Sequence, residues 1–367
     1  MLLKNKKKNL FMNIKKYKVL GIMSGTSCDG LDIAYCEYWE KNNKWNYKLL
    51  EFRTINYNKK WRKKLLNCYK ISAYELKKLD VNLGDFICQS IKKFIRKHKI
   101  KPDLIASHGH TVFHNPIEKI SLQIGNPLTI FSKIKIPIIY NFRELDIIIG
   151  GQGAPLVPYG EKHLFSKYDY CINIGGILNL TDLNETKFLA FDVCPANLVL
   201  NFLARKLNMK FDKNGETASK GKMIDNLYNK LNNLKYYNSS KPKSLDINYI
   251  EKKIIPLLEK YKTKDTLHTF VEHIAFQVNK NLNKKNSSVL LTGGGTFNKY
   301  LVKRIKNNNK VKSIFVVPEK KLINFKEALI FGFLGLMRLL DKKNVLKSVT
   351  GSKKSTSSGI IINNKIF

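Results

Sequence analysis

Three glycine-bearing turns, each set at the end of an apolar run, constrain this chain more than any other feature of its sequence. Residues 18–23 pass into Ser24-Gly25-Thr26-Ser27-Cys28-Asp29-Gly30, all of it turn chemistry. Leu31, Ile33 and Tyr35 then alternate with Asp32, Ala34 and Cys36. That order predicts a strand, a polar turn and a second strand. A second hairpin is predicted over 170–180, with Gly175-Gly176 at the bend, and the buried-type strand at 288–291 runs into Gly293-Gly294-Gly295. Glycine carries no Cβ and reaches positive φ, so each turn lets backbone approach a phosphate or a nucleotide closely. Neither Gly-x-x-x-x-Gly-Lys-Ser/Thr nor Gly-x-Gly-x-x-Gly between a strand and a helix is present, which disfavours a P-loop enzyme and a Rossmann dehydrogenase.

Helical periodicity fills the intervals. Phe86, Ile87, Ile91, Phe94 and Ile95 recur at helical spacing within 83–97, and residues 104–107 read as a strand ending at His108-Gly109-His110. A strand over 188–191 ends on Asp192, a helix is predicted from 197 to 206, and residues 222–265 read as helices joined by solvated loops. Helices are also predicted from about residue 298 and over 324–340. Interleaved strands and helices predict an α/β fold. No repeat of solenoid length occurs, so the duplication is one of pattern: a glycine-turned hairpin opens each half. The 367 residues suffice for two domains, expected at 18–140 with 345–367 and at 141–344, preceded by a basic arm at 1–17.

The 66 Lys and Arg against 28 Asp and Glu give a formal net charge of +38. These cations are scattered along every segment rather than gathered beside a recognisable motif, so no nucleic-acid partner is expected, although the summed field attracts anions. Cys28, Cys36, Cys68, Cys88, Cys171 and Cys194 show no paired metal spacing and follow no secretory signal, which predicts reduced thiols in a cytoplasm. The longest apolar stretch, 328–337, is too short to span a bilayer, so no membrane partner is expected. His108, His110 and His114 fit no zinc spacing and are read as pocket-lining or turn residues.

The order of the three turns resembles the phosphate-1, phosphate-2 and adenosine loops of the actin and sugar-kinase superfamily, which also holds heat-shock ATPases. More specifically, Gly25-Thr26-Ser27-Cys28-Asp29-Gly30-Leu31-Asp32, Ser107-His108-Gly109, Asn141-Phe142-Arg143, Gly150-Gly151-Gln152-Gly153-Ala154-Pro155-Leu156-Val157-Pro158, Asn173-Ile174-Gly175-Gly176 and Lys326-Glu327-Ala328 are similar to blocks of anhydro-N-acetylmuramic acid kinases. They stand in that family's order and cover about 18–351. The resemblance implies two actin-like (RNase H-like) α/β domains with an ATP cleft between them. It implies a cytoplasmic enzyme of peptidoglycan recycling, with ATP and Mg²⁺ as cofactors and a small-molecule amino sugar as partner; a homodimer stays open. Water would open 1,6-anhydro-N-acetylmuramic acid, and the released O6 would be phosphorylated to give N-acetylmuramic acid 6-phosphate.

Residue by residue, Asp192 matches the family's catalytic aspartate, where a lone Asp after a strand is more often a helix cap. Gly25, Thr26, Ser27, Cys28, Asp29, Gly30, Leu31 and Asp32, with Asn173, Gly175, Gly176, Gly293, Gly294 and Gly295, are implied to bind the nucleotide. Asp29 or Asp32 would hold the metal through water. His108, Arg143 and Glu327 fall on the substrate side, Arg143 because a planar guanidinium suits the lactyl carboxylate of a muramic acid. The chain departs from the family at Val193 and Cys194, where Thr-Gly usually stands, at His110 for Gln and at Phe113 for Arg, and these departures are expected on the sugar side. A conventional sugar kinase acting on a free hydroxyl is the nearest rival, ahead of an actin-like ATPase acting on a protein partner.

Overall fold

The computed structural model describes residues 14–184 and 188–363. Residues 1–13, most of the expected basic arm, lie outside the described residues, while Lys16 and Tyr17 already stand in the first strand opposite Trp39 and Tyr38.

The first half of the chain supplies strands β1 (Lys16–Ser24), β2 (Gly30–Lys41), β3 (Lys44–Asn56), β4 (Leu104–Asn115), β5 (Ile120–Ile124) and β6 (Ile138–Tyr140). A second sheet takes β7 (Tyr170–Ile174), β8 (Ile177–Asp182), β9 (Leu189–Pro195), β10 (Ser288–Thr292) and β11 (Ile314–Val316), and β12 (Ile360–Ile362) returns to the first sheet beside β6. The orders are β12-β6-β4-β1-β2-β3, with β5 on β4, and β11-β10-β7-β8-β9. In each sheet a three-stranded antiparallel meander is extended by two parallel strands on the far side of its first strand. The same architecture therefore occurs twice, and the chain has the α/β, actin-like (RNase H-like) fold that its glycine turns suggested.

Burial explains which strands were easy to read. β1 is central, and Val19 to Ser24 are all buried, giving the near-continuous apolar run of a strand covered on both faces. The edge strand β3 exposes much of its length, although Trp45, Tyr47 and Leu49, at alternate positions, pack on the core. Helix Ala73–His98 starts ten residues earlier than its apolar spacing indicates, because Ser72 and Glu75 form a capping box at its true start.

Helix Lys320–Leu339 falls inside 141–344, the stretch assigned to the second half, yet it packs on the first sheet. Its buried Ala328, Leu329 and Phe333 share a core with Val19, Ala34, Tyr38 and Trp45, and Cys171 and Leu290 of the second sheet join the same core. The helix is thus clamped between the sheets, which its uniformly buried face from Ala328 to Met337 requires. A Cβ on Gly21 would stand 1.8 Å from the Ala328 carbonyl oxygen, and one on Gly332 would stand 2.7 Å from the Tyr38 hydroxyl. The backbones of strand and helix meet there without side chains between them.

Gly21→Ala is therefore expected to destabilise the protein by about 3 kcal/mol, at the upper end for overpacking, because backbone rather than a flexible side chain must move. Urea unfolding checks this; a midpoint within error of the wild type would contradict so close an approach.

Candidate active site

A cavity of about 710 Å³ lies between the two sheets. Arg143 and Glu327, the latter on the helix packed against the first sheet, reach it together with Asn173, Thr181 and Asp192 of the second sheet and with Lys243. A hollow of about 770 Å³ between helices Lys59–Leu66 and Ala73–His98 is lined instead by Lys60, Lys64, Lys78 and Tyr74, and none of the residues singled out by sequence lies on it.

Asp192 sits near the end of β9, where a register shift against β8 sets it opposite Asn179. Its Oδ2 accepts hydrogen bonds from the Leu245 N–H at 2.9 Å and the Ser244 hydroxyl at 3.2 Å, while Oδ1 has no partner among the described residues. Its own N–H donates to the Lys243 carbonyl at 3.0 Å. Burial raises its pKa above the ordinary value, and the two hydrogen bonds to Oδ2 only partly offset that. One oxygen is thus fixed and the other is available to take a proton.

Arg143 is half-buried and pinned. Its Nε and Nη2 donate to His108 Nε2 at 3.1 and 2.9 Å, and Nη1 donates to the Gly153 carbonyl at 2.7 Å. His108 donates from Nδ1 to the Gly109 carbonyl at 2.9 Å, so both its ring nitrogens are engaged and its contact with a ligand runs only through Arg143. Burial first, and the guanidinium second, lower the His108 pKa to about 3, and burial lowers that of Arg143 to about 10 against the opposing pull of Glu327. Glu327 is solvent-exposed in the cavity, and its charge also bears on Asp32. Asp32 accepts from the Thr54 hydroxyl at 2.5 Å, and burial, followed by Glu327 and Asp29, raises its pKa to about 6. Asp29 itself is exposed, 3.8 Å from Arg62.

The three glycine turns differ in what their glycines do. In the first, Thr26 and Ser27 are exposed, but Cys28 and Leu31 are turned into the core, so neither of those two side chains can touch a nucleotide. Gly30 is required by packing, since a Cβ there would lie 2.8 Å from the Ile55 carbonyl oxygen. At the second turn the carbonyls of Gly175 and Gly176 accept from Asn197 and Ala196 at the start of helix Asn197–Arg205, and the two glycine N–H groups have no partner among the described residues. The third turn abuts the second: Gly293 has φ +84° and Gly295 is pressed against Ile174, whereas a Cβ on Gly294 would meet nothing within 4 Å. The departures at His110, Phe113, Val193 and Cys194 do not line the cavity. Val193 and Cys194 belong to the second core and His110 lies under the first turn, 3.5 Å from the Ser24 hydroxyl, because each follows the burial of its strand rather than the cavity wall.

Two arrangements were not legible in the sequence. Lys326, only 3% exposed, pairs with Glu161 at 2.8 Å, and Glu161 accepts from the Thr181 hydroxyl at 2.6 Å, tying helix Lys320–Leu339 to β8. Asp146, fully buried, accepts from the Gly153 N–H and the Thr350 hydroxyl, both at 2.8 Å, which fastens the 150–153 loop to the C-terminal segment. A buried Lys and two buried acids far apart in sequence carry no local signal of their pairing.

The raised pKa of Asp32 makes its ionisation unfavourable to folding. Below about pH 4 the carboxyl is protonated in both states; between about 4 and 6 the unfolded chain releases the proton first, so stability falls as pH rises, and above 6 the penalty is complete. Asp32→Asn should raise the melting temperature at pH 7–8, with the gain vanishing near pH 4. A pH-independent difference would show that burial does not govern this carboxyl.

Comparison with known proteins places the whole chain. The family profile for anhydro-N-acetylmuramic acid kinase matches residues 17–364. A protein of that name from Francisella tularensis subsp. novicida is 34% identical across 95% of this chain and 99% of its own length. Another from Clostridioides difficile is 33% identical across 93% of this chain and 97% of its own. Profile and relatives agree over nearly the full length, and this chain belongs to the anhydro-N-acetylmuramic acid kinase family.

Proposed function

We propose that this kinase uses water to open the bridge of 1,6-anhydro-N-acetylmuramic acid and transfers the γ-phosphoryl group of ATP to the released O6. The products are ADP and N-acetylmuramic acid 6-phosphate, and the setting is cytoplasmic recycling of peptidoglycan sugars. The observation that carries this reading is Asp192, held by one oxygen and free at the other on the wall of an inter-sheet cavity. Water is a poor nucleophile at neutral pH and needs a positioned base. The free Oδ1 takes that proton as water attacks C1, and the bridge C1–O6 bond breaks with its electron pair on O6. O6 then attacks phosphorus, so one base starts both events.

Nucleotide is assigned to the turns at 25–30, 175–176 and 293–295, of which the last two abut through Ile174. The unpartnered N–H groups of Gly175 and Gly176 and the open space at Gly294 suit phosphate and adenosine, and the Thr26 and Ser27 hydroxyls supply further donors. In this reading 18–140 with the C-terminal strand forms one wall and most of 141–344 the other.

Asp32 fits a Mg²⁺ site better than Asp29 does. It is desolvated, stands in the field of Glu327 and Asp29, and uses one oxygen on Thr54, so a nearby cation would relieve an unfavourable charge. No three His, Cys, Asp or Glu side chains among the described residues are grouped to hold a metal, so phosphate oxygens and water would supply most of the shell, as is usual for Mg²⁺. The ion would neutralise charge on the transferring phosphoryl group. His108 and Gly153 aim Arg143 into the cavity, and Glu327 faces it there.

In ¹⁸O-water, early product should carry label at the C1 hydroxyl and none in the C6–O–P linkage; label in the ester would mean attack at C6 and would overturn the scheme. Asp192→Asn should lower both bridge opening and phosphorylation by about 10² to 10⁴ with ATP affinity within a few-fold. Loss of one activity alone would separate the two steps.

A further inference from the structure

Three basic side chains line the cavity: Arg143, Lys326 and Lys243. The sequence reading gives the sugar's carboxylate to Arg143. Its Nε–Nη2 edge, the fork that would grip a carboxylate bidentately, is instead spent on His108, and Nη1 donates to Gly153. Lys326 is neutralised by Glu161 in a pair whose side chains are both only 3% exposed. Lys243 also lines the cavity with no carboxylate bonded to it among the described residues, and unlike Arg143 its donors are not committed to a neighbouring side chain.

Lys243 is also held ready. Its Nζ donates to the Tyr236 carbonyl at 2.7 Å and lies 4.4 Å from the centre of the Tyr236 ring, which leaves two ammonium protons for a ligand. Its backbone carbonyl accepts from the Asp192 N–H, and the next two residues bond the Asp192 carboxylate, so the ammonium and the proposed base are carried on one tied loop. Lys241, over the Phe191 ring at 4.4 Å, and Lys280 add to the positive field at Lys243, with Asp182 acting on Lys241 in the opposite sense. A cation crowded by its own kind and bonded to no acid among the described residues attracts an anionic ligand.

We propose that Lys243 is the specificity residue that receives the carboxylate of the substrate's lactyl ether, with Lys241 and Lys280 reinforcing its field. This rests on the reading of the cavity as the sugar site. It goes further in making acidic sugars the preferred substrates and in moving carboxylate recognition from Arg143 to the loop that holds Asp192. A charge-assisted hydrogen bond of this kind discriminates by about ten- to a hundredfold.

The test compares 1,6-anhydro-N-acetylmuramic acid with 1,6-anhydro-N-acetylglucosamine, which differ in the lactyl group, as the ratio of their kcat/KM values. The wild type should favour the acidic sugar by at least tenfold, Lys243→Met should bring the ratio close to one, and Lys243→Arg should restore much of it. A general disturbance of the Asp192 loop would lower both sugars together and leave the ratio unchanged, and that result overturns the proposal. So does a collapse of the ratio in Arg143→Lys with none in Lys243→Met. The same ratio is measured by calorimetry as binding of the two sugars without ATP. Absence of turnover therefore counts against the proposed reaction alone, while the binding ratio still decides whether Lys243 holds the carboxylate.

Discussion

The buried ion pair between Lys326 and Glu161, completed by Thr181, is the contact on which the arrangement of the two halves turns. A charge pair removed from water this fully contributes little net stability compared with apolar residues of the same shape, but loss of one partner leaves an unpaired buried charge. What it supplies is position. Lys326 fixes helix Lys320–Leu339 against β8, and the next two residues look elsewhere: Glu327 into the cavity, Ala328 against Gly21 of β1. Three consecutive residues, about 100° apart around a helix, thereby set the second sheet, the site and the first sheet relative to one another.

Both sheets place their meander hairpins and their added parallel strands in the same order, so their glycine turns arise from equivalent positions. The first turn joins β1 to β2, the second joins β7 to β8, and the third leaves β10, the parallel neighbour of β7. Contact between the second and third turns, through Ile174, follows directly from that pairing. Asp192 on β9 stands opposite Asn179 because β9 pairs with β8, the second strand of the hairpin.

The fold was legible where strands are buried on both faces and end in obligatory turns, as β1, β7 and β10 do. It was less legible at exposed edges: β3 went unread although Trp45, Tyr47 and Leu49 alternate with polar residues, and so did the β4–β5 hairpin, with Phe113, Ile117, Ile120 and Leu122 exposed. Asp192, Arg143 and Glu327 were recognisable as a set and do share one cavity. Cys28 and Leu31 show the limit of carrying a motif over whole, since alternating side chains of a hairpin must send some members into the core. The pairing of Lys326 with Glu161, 165 positions apart, has no local signature because only the packed structure removes the water between them.

The partner chosen for Arg143 has a consequence of its own. A carboxylate in the place of His108 would orient the guanidinium equally well, but it would also cancel the charge that a ligand is meant to feel. A neutral imidazole, its proton committed to the Gly109 carbonyl and its other nitrogen unable to bind a second proton until about pH 3, accepts two hydrogen bonds and returns no negative charge. Arg143 is therefore aimed without being discharged, and its aim does not change with pH anywhere in the range a living cell occupies.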